Sequence, residues 1–204
     1  MKYGIQRRTI YLVPPSRADL DWMFHQFDVD EIWQMFGMPE PSRHRIMFAY
    51  RHVNLVIGMI RRVHDRARIG FMVMIPPRPD YDFWEACYAI PDPRHRDAWA
   101  AFNAADAMTH YMLEHLRVNA MGWCARVDNV ASDAIIRRLG YIPDEVKEID
   151  GHKYRCYRLQ YEGWMARRAR LDRGERLHPS GQGETFVTLR EPPYEPIVLM
   201  NNAA

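Results

Sequence analysis

A run of alternating elements through the centre of the chain limits what it can fold into. Residues 83–90 (FWEACYAI) read as a strand closed by Pro91, with Glu85, Cys87 and Ala89 on one face and Trp84, Ala86, Tyr88 and Ile90 on the other. Residues 98–116 form the clearest helix, because Ala101, Ala105, Met108, Met112 and Leu116 recur at three- and four-residue spacing. Its first turn is rich in alanine, so another backbone can approach it closely. Residues 122–127 (GWCARV) give a second strand. Asp128-Asn129 then leads into a helix that ends at Leu139, with Gly140 as its cap.

The flanks are consistent with one α/β domain. Residues 9–13 (TIYLV) form a strand closed by Pro14-Pro15, and Ser16 with Asp19 makes a capping box that opens a helix through Phe24. Asp28 and Glu31 repeat that pattern for a second short helix stopping at Gly37. Residues 53–63 and 68–75 pair as a hairpin, as do 146–149 and 153–160 around Asp150-Gly151. Residues 164–171 (WMARRARL) form a short basic helix. The division expected is a core over residues 1–171 and an extension over 172–204, whose short apolar runs suit pairing with a second subunit as a homodimer or folding over a cleft.

With 204 residues, 48% hydrophobic and 26% charged, the chain can bury one sizeable core, which excludes a disulfide-stapled miniprotein and a disordered tail. The net charge of +2 does not call for a nucleic-acid partner, although all the basic residues except Lys2, Lys147 and Lys153 are arginines. Cys87, Cys124 and Cys156 show no CxxC spacing and read as free buried thiols in a reducing, cytoplasmic setting. There is no signal-peptide pattern and no run near roughly 18 apolar residues, so a soluble protein without a membrane partner is expected.

A metal site is not expected, since His110 and His115 are five apart and should face different ways. Asp106 and His110 read as a surface pair and Cys87 as a small buried thiol. Trp22, Met23, Trp33 and Phe36 read as core that could also wall a pocket. Arg43, His44, Arg45, Arg61 and Arg62 read as a solvated face.

A helix N-terminus after a strand offers free N–H groups and the positive end of a dipole, which suits a pyrophosphate. Arg94, His95 and Arg96 add positive charge at that spot. The next segment, RVDNVASDAIIRRLGY, resembles the Asn-x-x-Ser, Leu-Gly-Phe/Tyr stretch of the GNAT acyltransferase superfamily. The resemblance covers roughly residues 9–171 and is closest to the branch that acetylates ribosomal-protein N-termini, whose members often end in a Trp-containing helix.

The resemblance implies a mixed, mainly antiparallel central sheet flanked by helices, in which strands 83–90 and 122–127 run parallel and splay to admit the pantetheine arm of acetyl-CoA. It implies that the backbone of Tyr88, Ala89 and Ile90 pairs with pantetheine amides and that an amide near Ala89 polarises the thioester carbonyl. The loop His95, Arg96, Asp97, Ala98, Trp99 and Ala100 would cradle the pyrophosphate together with Arg94. Asn129 would bind pantetheine, and Ser132 would sit near the sulfur. Glu85 is the candidate general base, because attack needs a neutral amine and a destination for its proton.

Two departures stand out. Ala98 occupies a position that is usually glycine in the pyrophosphate loop; if that position needs φ > 0 the substitution costs about 1 kcal/mol, and the loop is either reshaped or a weaker CoA binder. Ile136 occupies the position of a tyrosine that many members use to protonate the leaving thiolate. The expected activity is acetyl-CoA-dependent N-acetylation of a primary amine by direct attack in a ternary complex. The competing readings are a non-catalytic CoA- or partner-binding module and an acyltransferase acting on nucleic acid.

Overall fold

The computed structural model describes residues 4–26, 55–79, 82–149 and 151–175. The expected second helix at residues 28–37, Trp33, Phe36, Arg43 to Arg45 and the tail from residue 176 lie outside the described residues.

Eight strands form one sheet. They are β1 (Ile5–Gln6), β2 (Ile10–Val13), β3 (Val56–Arg62), β4 (Arg68–Ile75), β5 (Trp84–Ala89), β6 (Ala120–Arg126), β7 (Ile142–Ile149) and β8 (His152–Gln160). The spatial order is β1-β2-β3-β4-β5-β6-β8-β7, and every neighbouring pair is antiparallel except β5 and β6. Sequence reading anticipated this mixed sheet but missed β1, which is too short to show a period. The α-helices among the described residues are α1 (Arg17–Gln26), α2 (Ala98–His110), α3 (Val130–Arg138) and α4 (Tyr161–Asp172).

Each element starts where local chemistry allows it. The Ser16 amide and hydroxyl both donate to Asp19 Oδ2, and the Asp19 amide donates back to Ser16 Oγ, which closes the capping box of α1. Asp65 Oδ1 accepts from the Ala67 amide in the β3–β4 turn, where Arg66 takes a left-handed φ of 57°. Gly140 follows α3 at φ 92°, the conformation that favours glycine past a helix end.

The two sheet faces carry separate cores. Met72, Met74, Ala86, Ile90, Met121 and Trp123 pack under α2, α3 and α4, while Met59, Phe71, Val73 and Ala89 pack under α1. Helix α2 is buried almost all round: Ala100, Ala101, Ala104, Ala105 and Ala107 let its backbone lie close to the sheet. Polar residues of this helix find partners inside. Arg7 Nε donates to Asp106 Oδ2 at 2.6 Å, with both side chains at least 95% buried, and Asn103 Nδ2 donates to Thr9 Oγ1 at 2.8 Å. Asp106 is therefore not the surface partner of His110 that the i,i+4 spacing suggested.

After His110 the helix widens into a π turn, Tyr111–His115, in which the Leu116 amide reaches the carbonyl of Tyr111 at 3.0 Å. The extra residue per turn changes the phase. Leu113 turns inward and Leu116, expected in the core, is 43% exposed. His110 and His115, expected on different faces, lie together with ring centroids 5.4 Å apart. No group of three metal-ligating side chains that could hold an ion occurs among the described residues. Trp164 of α4 is fully buried and donates from Nε1 to Glu114 Oε1 at 2.7 Å, which ties the last helix to this turn.

Cys124 and Cys156 face each other across the β6–β8 ladder, Cα to Cα 4.2 Å, and are joined as a disulfide. The spacing of the cysteines suggests free thiols; strand register, which spacing does not reveal, corrects this for Cys124 and Cys156. Cys87 is free. No helix among the described residues is long and apolar enough to cross a membrane.

Replacing Asp106 by alanine leaves the buried Arg7 guanidinium without its carboxylate. Urea denaturation should show a loss of about 3–5 kcal/mol, the usual cost of breaking a buried pair from one side.

Candidate active site

The parallel pair is short by construction. Trp84, Glu85 and Ala86 pair with Met121, Gly122 and Trp123, and the ladder stops there. Beyond it, Cys87, Tyr88 and Ala89 stay registered with Val73, Met72 and Phe71 of β4, while Cys124, Ala125 and Arg126 stay registered with Cys156, Arg155 and Tyr154 of β8. Each strand follows its outer neighbour and a gap opens between them. The closed end of the gap is tight: a Cβ on Gly122 would collide with the Phe83 ring.

Two helix starts flank this gap. Asp92 opens a single 3₁₀ turn, Pro93–His95, and Asp97 caps α2 by accepting the Ala100 amide on Oδ1 at 2.6 Å. The Ala98 and Trp99 amides remain at the helix end. Ala98 is simply the first residue of α2; among the described residues the only non-glycine residues with positive φ are Arg66 and Arg117. Alanine therefore carries no backbone strain there.

The basic residues of this loop are committed within it. Arg94 Nε and NH2 grip the Asp92 carboxylate, which holds Asp92 down to about 2 and pushes Arg94 up. Arg96 donates from Nε to the Ile90 carbonyl and from NH2 to the Pro91 carbonyl, both at 2.8 Å. His95 Nδ1 lies 3.4 Å from Arg62 NH1, which brings a further cation from β3 to the loop.

Across the gap, Asn129 caps α3 by accepting the Ser132 amide on Oδ1 at 3.1 Å. Ser132 Oγ lies 3.1 Å from the Tyr88 hydroxyl. Ile136, one turn further along α3, is fully buried in the core.

Glu85 lies on the opposite face of β5 from Tyr88, so the structure does not bring Glu85 and Ser132 into contact. It sets them on the two sides of the parting strands. The Glu85 side chain is only 15% exposed and accepts from Arg78 NH2 at 2.5 Å. Burial pushes its carboxyl above the usual range, opposed by the charges of Arg78 and Lys147. Sequence reading missed Arg78, because the proline-rich segment around it has no period to follow. Burial, reinforced by Glu85, pushes the Cys87 thiol well up, so Cys87 is not a ready nucleophile.

This arrangement can hold an extended chain between strands, an anion near a helix N-terminus, and an acid–base group on the far face. Comparison with known proteins bears on the family and the fold. Residues 9–142 match the family model described as an acetyltransferase (GNAT) domain. The chain belongs to that family and is an acyltransferase.

Among solved structures, it is similar to spermidine N-acetyltransferase from Vibrio cholerae in complex with CoA and spermine, with TM-score 0.65 and 15% identity over 76% of this chain and 98% of that one. It is also similar to a GNAT-family acetyltransferase from Bacillus anthracis (0.63, 10% identity, 78% and 99% covered). A third is Mycobacterium smegmatis RimJ in complex with CoA-disulfide (0.61, 12% identity, 81% and 95% covered). At these identities the likeness is one of fold. No curated protein matches.

The caps separate two roles of Asp97. Asp97→Ala should cost about 1 kcal/mol in thermal or urea unfolding by orphaning the Ala100 amide, whereas Asp97→Asn, itself a good cap, should leave stability nearly unchanged.

Proposed function

We propose that this chain transfers an acetyl group from acetyl-CoA to a primary amine by direct attack in a ternary complex. The observation that carries the reading is the end of the β5–β6 ladder at Ala86 and Trp123, beyond which the facing edges of the two strands no longer pair with each other and an extended, amide-bearing arm can be accommodated in this reading. The residues around it fit acetyl-CoA. In this reading the edge from Tyr88 of β5 to Ile90 just beyond it meets the pantetheine amides, the α2 amides suit the pyrophosphate, and Asn129 and Ser132 stand at the thiol end. When bound, acetyl-CoA supplies the activated thioester carbonyl.

The roles of the chain's residues follow from which side of β5 each occupies. On the α1 face, Glu85 takes the proton released as the amine attacks; its raised pKa makes it a better base than an exposed carboxylate. An amide near Ala89 stabilises the carbonyl oxygen as charge builds. On the α3 face, Ser132 meets the sulfur. Holding amine and thioester together provides much of the acceleration, so few side chains need be indispensable.

The Asp97 carboxylate works against the pyrophosphate that its own helix end attracts. The Asp97→Asn variant should therefore bind CoA several-fold more tightly at low salt, with the gain shrinking as salt rises; calorimetric titration measures both. A protein N-terminus is the first acceptor to test, given the sequence resemblance to the ribosomal-protein branch. Free amino acids, spermine and aminoglycosides complete the panel, with acetylated product read by mass spectrometry.

Acetyl-CoA should bind to the wild-type chain in calorimetry, and absence of binding at millimolar levels would end this reading. Because protonated Glu85 cannot accept a proton and its pKa is raised, kcat/KM should climb with pH past the point where an ordinary carboxylate has finished ionising. Glu85→Gln should remove that limb and lower kcat by about 10²- to 10⁴-fold. A wild-type chain that binds acetyl-CoA but acetylates no amine, and whose binding is unchanged in the Glu85→Gln, Ser132→Ala double variant, would instead indicate a binding module.

A further inference from the structure

The side of the gap opposite Glu85 is closed by two hydroxyls. Tyr88 lies two residues beyond the last β5–β6 rung, its ring edge-on to Trp123 with centroids 5.6 Å apart, and its hydroxyl spans from β5 to Ser132 Oγ on α3. Ser132 is fixed from the other direction by its amide bond to Asn129. The pair therefore sits in the mouth of the slot at the positive end of the α3 dipole, where a leaving anion would be stabilised.

Resting on the acetyl-transfer reading above, we infer that Tyr88 is a positioning residue whose phenol donates to Ser132 Oγ and thereby turns the serine's own proton toward the departing sulfur. A serine hydroxyl has one proton and two lone pairs, so filling a lone pair from Tyr88 frees its O–H to point elsewhere. Of the two groups the phenol is the stronger acid and so the better donor. Burial pushes the Tyr88 pKa up, which keeps its proton in place across the neutral range. A hydroxyl that accepts a hydrogen bond also donates a stronger one.

In the reaction, the nitrogen–carbon bond forms and the carbon–sulfur bond breaks with its electron pair passing to sulfur. The amine proton leaves through Glu85 to water. The thiolate is held by the Ser132 O–H and takes its proton from water as CoA departs. Neither hydroxyl is consumed, and the Tyr88 proton need not leave the phenol.

The test uses the full-length protein with CoA itself, following the ultraviolet absorbance of the bound thiolate as pH rises. In the wild type the bound CoA thiol should ionise at lower pH than free CoA. Tyr88→Phe, which keeps the ring against Trp123, and Ser132→Ala should each raise that pKa by about one unit, as expected for losing a charge-assisted hydrogen bond. The double variant should rise no further than Ser132→Ala.

A Tyr88→Phe thiol pKa equal to wild type, or effects of the two substitutions that simply add, would overturn the inference and leave Tyr88 as packing for Trp123. Failure of the wild type to bind CoA is a different result, visible in calorimetry before any variant is made; it removes the acetyl-transfer reading and this inference with it.

Discussion

β5 and β6 run side by side only until Ala86 and Trp123, because each is paired further along its other edge. β4 keeps its register with β5 to Ala89, and β8 keeps its register with β6 to Arg126. A parallel pair caught between two antiparallel ladders separates wherever those ladders diverge. Separation strips backbone groups of strand partners, and an unmet buried amide or carbonyl costs about 1–3 kcal/mol. α2 and α3 begin beside this gap, and the side chains of β5 divide between its two faces.

The close approach of α2 depends on its composition. Alanines at Ala100, Ala101, Ala104, Ala105 and Ala107 remove the bulk that would hold the helix off the sheet, and the Arg7–Asp106 pair pins its middle from β1's side. The π turn then offsets the helix by one residue, so that Glu114 meets Trp164 and α4 closes that end of the core. The helix that presents its N-terminus to the gap is thereby anchored at its far end, which makes its amides a fixed feature rather than an adjustable one.

Some of the arginines pair with acids close by in the chain. Arg62 pairs with Asp65, Arg94 with Asp92, Arg126 with Asp128, Arg137 with Asp133, and Arg170 with Glu175. These partners lie two to five residues apart, at turns and helix ends, and such exposed pairs contribute little to stability. They do set how many cations remain for a ligand. Around the loop at residues 91–97, arginine content overstates the positive charge on offer, since Asp92 and the Ile90 and Pro91 carbonyls hold Arg94 and Arg96.

The elements legible in the chain itself were those with a local cause. Period-2 and period-3.6 patterning marked β5, α2 and β6, the Ser16–Asp19 box and Gly140 marked helix ends, and the Asn129-x-x-Ser132 segment marked the family. Relations between distant residues were not legible. The Cys124–Cys156 bond depends on β6–β8 register, the His110–His115 contact on a π turn that breaks the helical period, and the Arg78–Glu85 and Tyr88–Ser132 contacts on where separate elements come to rest. By itself the sequence determined most of the described strands and helices and which superfamily they resemble, because propensity and capping act over a few residues. Only the tertiary structure decided which side chains share the gap, because register and helix phase are settled by packing across the whole sheet.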